Sequence, residues 1–524
     1  MREEVKGKHI TNRAWDLVDS LPNGRKAMKG KWVFTVDYNS DGSISRFKAR
    51  WVACGYSQID GVDFNGEEIY ASTCQRESII TCFWAAAHHG WLDCEYDFIK
   101  AFSQGKFKDD ITELFVEQPH GFADPTKAAC KLLRPLEGTK QAGKLWVDEL
   151  AAVLCKLDFH RSTTEPNVYL KEDGKTVIRL LVYVDNLVAF YPDTEDGIAA
   201  NDQLYKDLQK AFRVQQRGPV KKFMGIEVER DHKAKTVSLK QTKYIESAVK
   251  RFLPYDSKTY STPVPHSQLD SFKYISTAKD DVERSAMRSK PYLSLIGTLL
   301  WACVVHPEIQ YDVNFLCQFM HDPSIEAWEA GLNILMYLKG NSFQGLSFDG
   351  SNPWELIGFS DASWGSEPVP FGGFVIMLGG TAVSWAARKL KIVPQSSAEA
   401  EVAAYCLAAK ELKFISNLLT DLRVPVVKPI SIYCDNSAAI KIIKDVGAKA
   451  RTRHFDRWLA LGQEQYVDRF SKPVWIPTDS MLADCMTKSM DKTKFLAFRA
   501  GMTNTSHDHV PMLLRHVLAG GKHL

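Results

Sequence analysis

The sequence predicts a multidomain chain of mixed α/β and α+β class. Its 524 residues exceed one ordinary domain and allow several packed cores. The first half carries paired runs of alternating and apolar residues that read as β-hairpins. From Leu356 onward the pattern is strand, strand, strand, helix, strand, helix, the order of a small α/β or α+β domain.

Composition excludes some classes. Apolar residues make up 45% and charged residues 25%, the globular norm, so a disordered chain is ruled out. Lys+Arg is 66 against Asp+Glu 63, a net charge of +3, which excludes a histone-like polycation. It does not exclude nucleic acid as a ligand, because a basic cleft can be offset by acidic faces. The 11 cysteines are scattered without CxxC or zinc spacing and read as reduced, mostly buried thiols. The start MREEVKGKHI has no apolar core, so no signal peptide is expected. The longest apolar stretches, such as Ile296–Val305, are too short to span a bilayer. The expectation is a soluble, intracellular protein without membrane contact.

Lys31–Tyr38 and Ser45–Ala53 flank Asp41-Gly42-Ser43 and read as a hairpin with a polar tip. Arg46, Lys48 and Arg50 then share one face, since strand side chains alternate. They form either a solvated edge strand or a row of cations that grips phosphates. In WLDCEYDFIKAFSQG a strand ends near Asp97 and a short helical turn follows. Thr176–Phe190 is two apolar runs around Val184-Asp185-Asn186. An ordinary hairpin turn accounts for that tip. A carboxylate between apolar runs also suggests a paired or metal-binding acid, because an unpaired one is costly to bury.

GTKQAGKLW precedes a helical stretch to Leu157, and Asp207–Arg213 and Thr242–Phe252 are helical in pattern. The basic residues of Lys206–Lys222 and Lys233–Arg251 are interleaved with acids and read as a cleft wall at most. The Pro- and Ser-rich run Ser261–Gln268 marks a boundary. Pro291–Gly340 is mainly helical with a turn at Asp322-Pro323. Leu356–Ser360, Gly373–Leu378, Thr381–Ala387 and Ile430–Cys434 read as strands, and Ser396–Leu419 and the segment from Ser437 as helices. The last thirty or so residues carry no usable pattern.

In this C-terminal part acids recur at element ends: Asp361 in GFSDASW, Asp435 in IYCDNSAA, Asp484 in LADCMTK, and Glu399 and Glu401 in SSAEAEVAAY. Ser396 and Glu399 fit a capping box, which gives Glu399 a structural task and leaves Glu401 for a metal. Carboxylates gathered at strand ends and helix starts suit Mg²⁺, a cation that prefers oxygen ligands.

These segments together resemble the Pol region of Ty1/copia-type LTR retrotransposons. The resemblance runs from about Trp15 to about Lys488. It passes through KGKWVFTVDYNSDGSISRFKARWVACGYSQIDGVDF, DFIKAFSQG, GTKQAGKLW, YVDNL, FMGIEVER and YLSLIGTLLWACVVHPEIQYDVNFLCQFMHDP to GFSDASW and LADCMTK. It implies a right-hand polymerase of fingers, palm and thumb, followed by a connection and a ribonuclease H-like domain. The expected boundaries are 1–255 for the reverse transcriptase, 256–350 for the linker and helical connection, 351–490 for the ribonuclease H-like domain and 491–524 for a C-terminal tail.

The resemblance further implies RNA-directed DNA polymerase and ribonuclease H activities. The polymerase acids would be Asp97 and Asp185, with Asn186 beside them. Phe102 would lie under the incoming sugar, Lys48 and Arg50 on the triphosphate, and Lys140 and Gln141 on the nucleotide–template pair. The ribonuclease H acids would be Asp361, Glu401, Asp435 and Asp484. Two Mg²⁺ (or Mn²⁺) ions would serve each active site. The partners would be an RNA template, a DNA primer, an RNA–DNA hybrid and dNTPs, in the cytoplasm (a virus-like particle), the nucleus or both.

Three departures from the family pattern bear on activity. Asn186 replaces the second aspartate of YVDD, EGTKQAGKLW lacks the Tyr, Leu and Pro of YGLKQxPR, and AFSQG stands for AFLNG. Capsid-, protease- and integrase-like parts are not recognised, so a fragment or degenerate copy of a larger polyprotein is expected. The alternatives are a ribonuclease H with a crippled polymerase and a non-catalytic nucleic-acid-binding relic.

Overall fold

The computed structural model describes residues 1–38, 43–107, 113–365, 370–391, 393–446, 456–504 and 510–518. Asp41 and Gly42 of the expected hairpin tip lie outside the described residues, as does part of the last thirty. The chain forms two compact units, Met1–Cys74 with Leu92–Pro219, and Gln75–Trp91 with Val220–Leu524. Helices and strands are mixed in both, as the α/β and α+β reading requires. None of the 11 cysteines forms a disulfide, and only Cys155 is exposed.

The first unit contains β1 (Trp15–Val18), β2 (Gly30–Tyr38), β3 (Ile44–Ala53), β4 (Leu92–Phe98), β5 (Phe115–Val116), β6 (Ala129–Leu132), β7 (His160–Arg161), β8 (Val168–Asp173), β9 (Thr176–Tyr183), β10 (Asn186–Tyr191) and β11 (Val214–Gly218). Strands β1, β6 and β5 make a small sheet, and β2 and β3 pair as the expected hairpin. The larger sheet runs β11-β4-β10-β9-β8-β7. Its central strands are apolar on alternate and often successive positions because helices Ala142–Lys156 and Glu195–Ala211 contribute to the same core. Thr194 caps the second helix, accepting from the Gly197 amide at 3.1 Å. Phe98, Trp146 and Phe212 meet edge-on in that core, with ring centroids 5.0 to 5.5 Å apart.

The second unit contains β12 (Lys222–Phe223), β13 (Ile226–Asp231), β14 (Thr236–Lys240), β15 (Gly345–Asp349), β16 (Leu356–Ala362), β17 (Phe371–Leu378), β18 (Thr381–Lys389), β19 (Ile430–Cys434) and β20 (Ser471–Trp475). One sheet is β12-β13-β14-β15, and the other is β18-β17-β16-β19-β20. In the latter β18, β17 and β16 are antiparallel, whereas β16, β19 and β20 are parallel. The long helix Ser397–Asp421 carries the chain across to β19, the crossover that a parallel strand needs. Helices Tyr292–Ala302, Gln310–Leu316 and Ile325–Gly340 follow the expected helical stretch.

Two parts differ from the sequence reading. Thr236–Lys240, inside the basic stretch read as a cleft wall, is strand β14 with Val237 and Leu239 buried. The tail without pattern holds a helix, Lys492–Thr503, capped by the Asp491 carboxylate, which accepts from Thr493 N and Lys494 N at 2.9 and 3.1 Å.

Candidate functional sites

The first site is built on β4, β9 and β10. Asp97 and Asn186 are register partners across the antiparallel β4–β10 ladder, and Asn186 also faces Tyr183 on β9. This leaves Val184 and Asp185 as a two-residue hairpin loop. Val184 has φ 55°, a left-handed conformation that costs a β-branched residue energy. Two hydrogen bonds and the packing of one donor hold the turn there. Trp146 Nε1 donates to Val184 O at 2.6 Å, Phe98 N donates to Asp185 O at 2.9 Å, and Trp146 itself is locked in the aromatic cluster. The register sets Asp97 opposite Asn186, with Asp185 next to Asn186 in the loop. Burial pushes the Asp185 carboxyl above its ordinary range; Asp97 and Glu137 add to the rise, and Arg50 opposes it.

Arg50 lies on β3 opposite Val33, and Lys48 opposite Thr35, so they share the face expected of them. Lys140 and Gln141 follow a loop held hard against the end of β3. Ala53 N donates to Glu137 O at 2.8 Å, and Gly55 N to Gly138 O at 3.1 Å. Gly138 has φ +93°, and a Cβ there would lie 2.0 Å from Ala53 O, so no other residue fits. Gln141 is buried with both ends of its amide engaged. It accepts from Gln58 Nε2 at 3.0 Å and donates to Asp63 O at 3.0 Å. Lys140 Nζ rests 4.3 Å from the Phe64 ring centroid. Phe102 sits half-buried in the short 3₁₀ turn Ala101–Gln104, against the same core as Trp146.

One partner at this site was invisible in the sequence. Arg217 Nη2 lies 2.6 Å from Asp97 Oδ2. With one oxygen of Asp97 so paired and Asn186 neutral, the donor set as folded does not fit a pair of divalent cations.

The second site is built on β16, β19, the long helix and the 3₁₀ turn Leu482–Met486. Asp361 is near the end of β16, Asp435 directly follows β19, and the pairing Phe359↔Tyr433 brings both strand ends together. Glu401 enters from the first turns of Ser397–Asp421. Ligand oxygens of Asp361, Glu401 and Asp435 lie within 4.8 Å of one another. Glu399 turns to the helix start: Ser396 Oγ accepts from Glu399 N at 3.3 Å, and Glu399 Oε2 accepts from Gln395 N at 2.7 Å. Glu399 therefore has the capping task read from the sequence.

Asp484 is wholly buried, its Oδ2 bound by Lys494 Nζ at 2.5 Å and Lys488 Nζ at 3.0 Å. Its Oδ1 is buried without a partner. The turn carrying it packs closely on β17, where a Cβ on Gly373 would lie 2.3 Å from Met486 Cβ. Thr487 Oγ1 donates to Asp361 Oδ2, and Thr478 Oγ1 donates to Asp435 Oδ2 at 2.7 Å. Burial, with the charge of Asp484 adding, lifts the Asp361 carboxyl to about 7. Burial, then Asp361 and Asp435, drive Glu401 well above the carboxylate range. Hard oxygen donors crowded until they repel, beside an orphaned buried oxygen, fit a divalent cation. Sequence reasoning found the four acids but not Thr478, Thr487, Lys488 or Lys494, which position them.

Known proteins resemble this chain along most of its length. Residues 12–266 match the family described as reverse transcriptase (RNA-dependent DNA polymerase). The chain is 31% identical over 499 residues to the retrovirus-related Pol polyprotein from transposon RE1 of Arabidopsis thaliana, covering 93% of this chain and 32% of that protein. It is 32% identical over 508 residues to the corresponding polyprotein from transposon TNT 1-94 of Nicotiana tabacum, covering 94% of this chain and 37% of that protein. The chain thus spans about a third of the length of these relatives. A solved foamy viral protease-reverse transcriptase in complex with double-stranded DNA aligns with TM-score 0.47 and 12% identity, over 90% of this chain and 69% of that one. Residues 12–266 belong with the reverse transcriptases, and nearly the whole chain resembles the Pol polyproteins of copia-type retrotransposons.

Proposed function

We propose that this chain is the reverse transcriptase–ribonuclease H region of a copia-type element, with a working ribonuclease H centre and an impaired polymerase centre. In this reading residues 1–255 form the polymerase, 256–350 the connection, 351–490 the ribonuclease H domain and 491–524 a tail. Its substrates are RNA template, DNA primer, dNTPs and RNA–DNA hybrid, met in the cytoplasm or nucleus. The observation that carries it is the convergence of Asp361, Glu401 and Asp435 oxygens within 4.8 Å, with buried Asp484 beside them.

Asp361, Glu401, Asp435 and Asp484 would hold Mg²⁺ (or Mn²⁺), two ions in the site. A bound pair supplies a more acidic water and stabilises the leaving oxygen of a phosphodiester. The protein's own contribution is placement. Thr487 and Thr478 fix one oxygen each of Asp361 and Asp435, leaving the others for a ligand. Lys488 and Lys494 both pair with the buried Asp484 carboxylate and hold its Oδ2 in place. The raised affinity of Asp361 and Glu401 for protons makes protons competitors of the cation. Duplex would be held mainly through its backbone, by shape and charge, so binding would be salt-sensitive and sequence-tolerant.

In the polymerase centre, which as folded does not suit a metal pair, Asp97 and Asp185 are the carboxylates a divalent cation would need once Arg217 has released Asp97. Asn186 offers a neutral amide oxygen where a second carboxylate would add charge, which supports an impaired rather than a full polymerase. The test is one preparation assayed for cleavage of a labelled RNA–DNA hybrid and for primer extension, both in Mg²⁺. Hybrid cleavage with weak or absent extension is expected. Failure to cleave the hybrid would favour the non-catalytic relic.

A further inference from the structure

On the polymerase reading of the first site, Arg217 has a role beside Asp97. Strand β11 pairs with β4 through Val214↔Phe98, Gln215↔Asp97 and Gln216↔Tyr96, then jumps to Gly218↔Glu95. Arg217 is the extra residue of this β-bulge. Bulges re-aim a side chain, and here the guanidinium reaches diagonally to Asp97, Nη2 to Oδ2 at 2.6 Å. Its charge is also felt by Glu95 on the same strand, whose carboxyl is raised by burial and by Asp97 and lowered by Arg217. The cation therefore sits between two carboxylates of β4, one of which the polymerase reaction needs.

We propose that Arg217 is an internal counter-ion that holds the Asp97 carboxylate against a divalent cation, so that the polymerase centre loads metal only when this guanidinium swings away. The geometry favours an exchangeable lock over a permanent one. The Arg217 side chain is 52% exposed and that of Asp97 30%, so the pair is wetted and weak, and a guanidinium on a long stem can leave without disturbing the sheet. Two costs would face an arriving cation. It must displace a charge-assisted hydrogen bond, and it must bind a few ångströms from a fixed positive charge. Together they correspond to roughly a tenfold loss of metal affinity at a half-solvated site. This impairment is separate from Asn186, which alters the ligand set and not its occupancy.

The test is localised backbone cutting of the full-length chain by Fe²⁺ used in place of Mg²⁺, with ascorbate and peroxide. Fragments ending near Asp97 and Asp185 report the polymerase centre. Fragments ending near Asp361 and Asp435 report the other site in the same tube. Arg217→Gln, and Arg217→Met as a second variant of retained bulk, should lower the Fe²⁺ midpoint for cutting near Asp97 about tenfold. Arg217→Lys should leave it unchanged, and no variant should move the midpoint near Asp361. An unchanged midpoint in folded Arg217→Gln and Arg217→Met overturns the lock while leaving the polymerase reading intact. Absence of cutting near Asp97 and Asp185 in every variant, Asn186→Asp included, overturns the polymerase reading and the lock with it.

Discussion

Asp97 and Asn186 face each other across the β4–β10 ladder, so a neutral amide stands opposite the Asp97 carboxylate. Asn is nearly isosteric with Asp, and the hairpin is held by Trp146 and Phe98 rather than by the Asn186 side chain. Charge is what changes. A loss of roughly 3–5 kcal/mol in transition-state stabilisation lowers the rate by about 10²–10⁴-fold. Asn186→Asp should therefore raise single-nucleotide primer extension by at least about tenfold. Equal extension rates for the two proteins would show that the second carboxylate is dispensable here.

The strained Val184 turn should depend on Trp146. Trp146→Phe keeps most of the ring packing but removes the Nε1 donor to Val184 O. A loss of about 1–2 kcal/mol in unfolding free energy is expected from the unsatisfied carbonyl and loosened packing. Urea titration followed by circular dichroism measures it. A variant as stable as the parent would mean that the turn is held without this bond.

Lys48→Ala and Arg50→Ala should raise the apparent KM for dNTP severalfold in the Asn186→Asp background, where extension is measurable, and leave hybrid cleavage unaltered. Arg50 has a second effect, because its charge opposes the rise of the Asp185 carboxyl. Its loss should move the pH dependence of extension toward alkaline pH, and that of Lys48 should not. Unaffected dNTP binding in both variants would return this face to a solvated edge strand.

Without a cation, the cluster of Asp361, Glu401 and Asp435 should lose stability as pH rises. The folded Asp361 carboxyl titrates at about 7 against an ordinary 3.8, so between these values the folded chain binds more protons than the unfolded one. Unfolding free energy contributed by this group falls across that window, and Glu401 acts in the same direction. Mg²⁺ relieves the repulsion only where the acids are ionised. The Tm gain on adding Mg²⁺ should be larger at about pH 8 than at about pH 5 and should shrink in Asp361→Asn. An equal gain at both pH values would argue against cation binding by these acids.

Local pattern carried much of this into view. The β2–β3 and β9–β10 hairpins, the long helix from Ser397 and the carboxylates at strand ends are written in residues that are neighbours in sequence. What escaped depends on distant partners or on uniform composition. Helix Arg76–His89 is buried continuously from Ser78 to Ala87, so it has no apolar stripe to mark its period. Strand β14 pairs with β15 across more than a hundred residues. Arg217 meets Asp97 through a bulge that strand pairing alone reveals. Lys494 reaches Asp484 from a helix whose one sequence signal, the Asp491 cap, lies in a segment read as patternless.

Asp435→Asn removes one charge from the cluster of Asp361, Glu401 and Asp435 and changes little else. Measured side by side on a labelled RNA–DNA hybrid in Mg²⁺, the parent chain should cleave and the variant should not, while both bind the hybrid with nearly equal Kd. Cleavage by the variant at the parent's rate would contradict the assignment of Asp361, Glu401, Asp435 and Asp484 as the ribonuclease H centre.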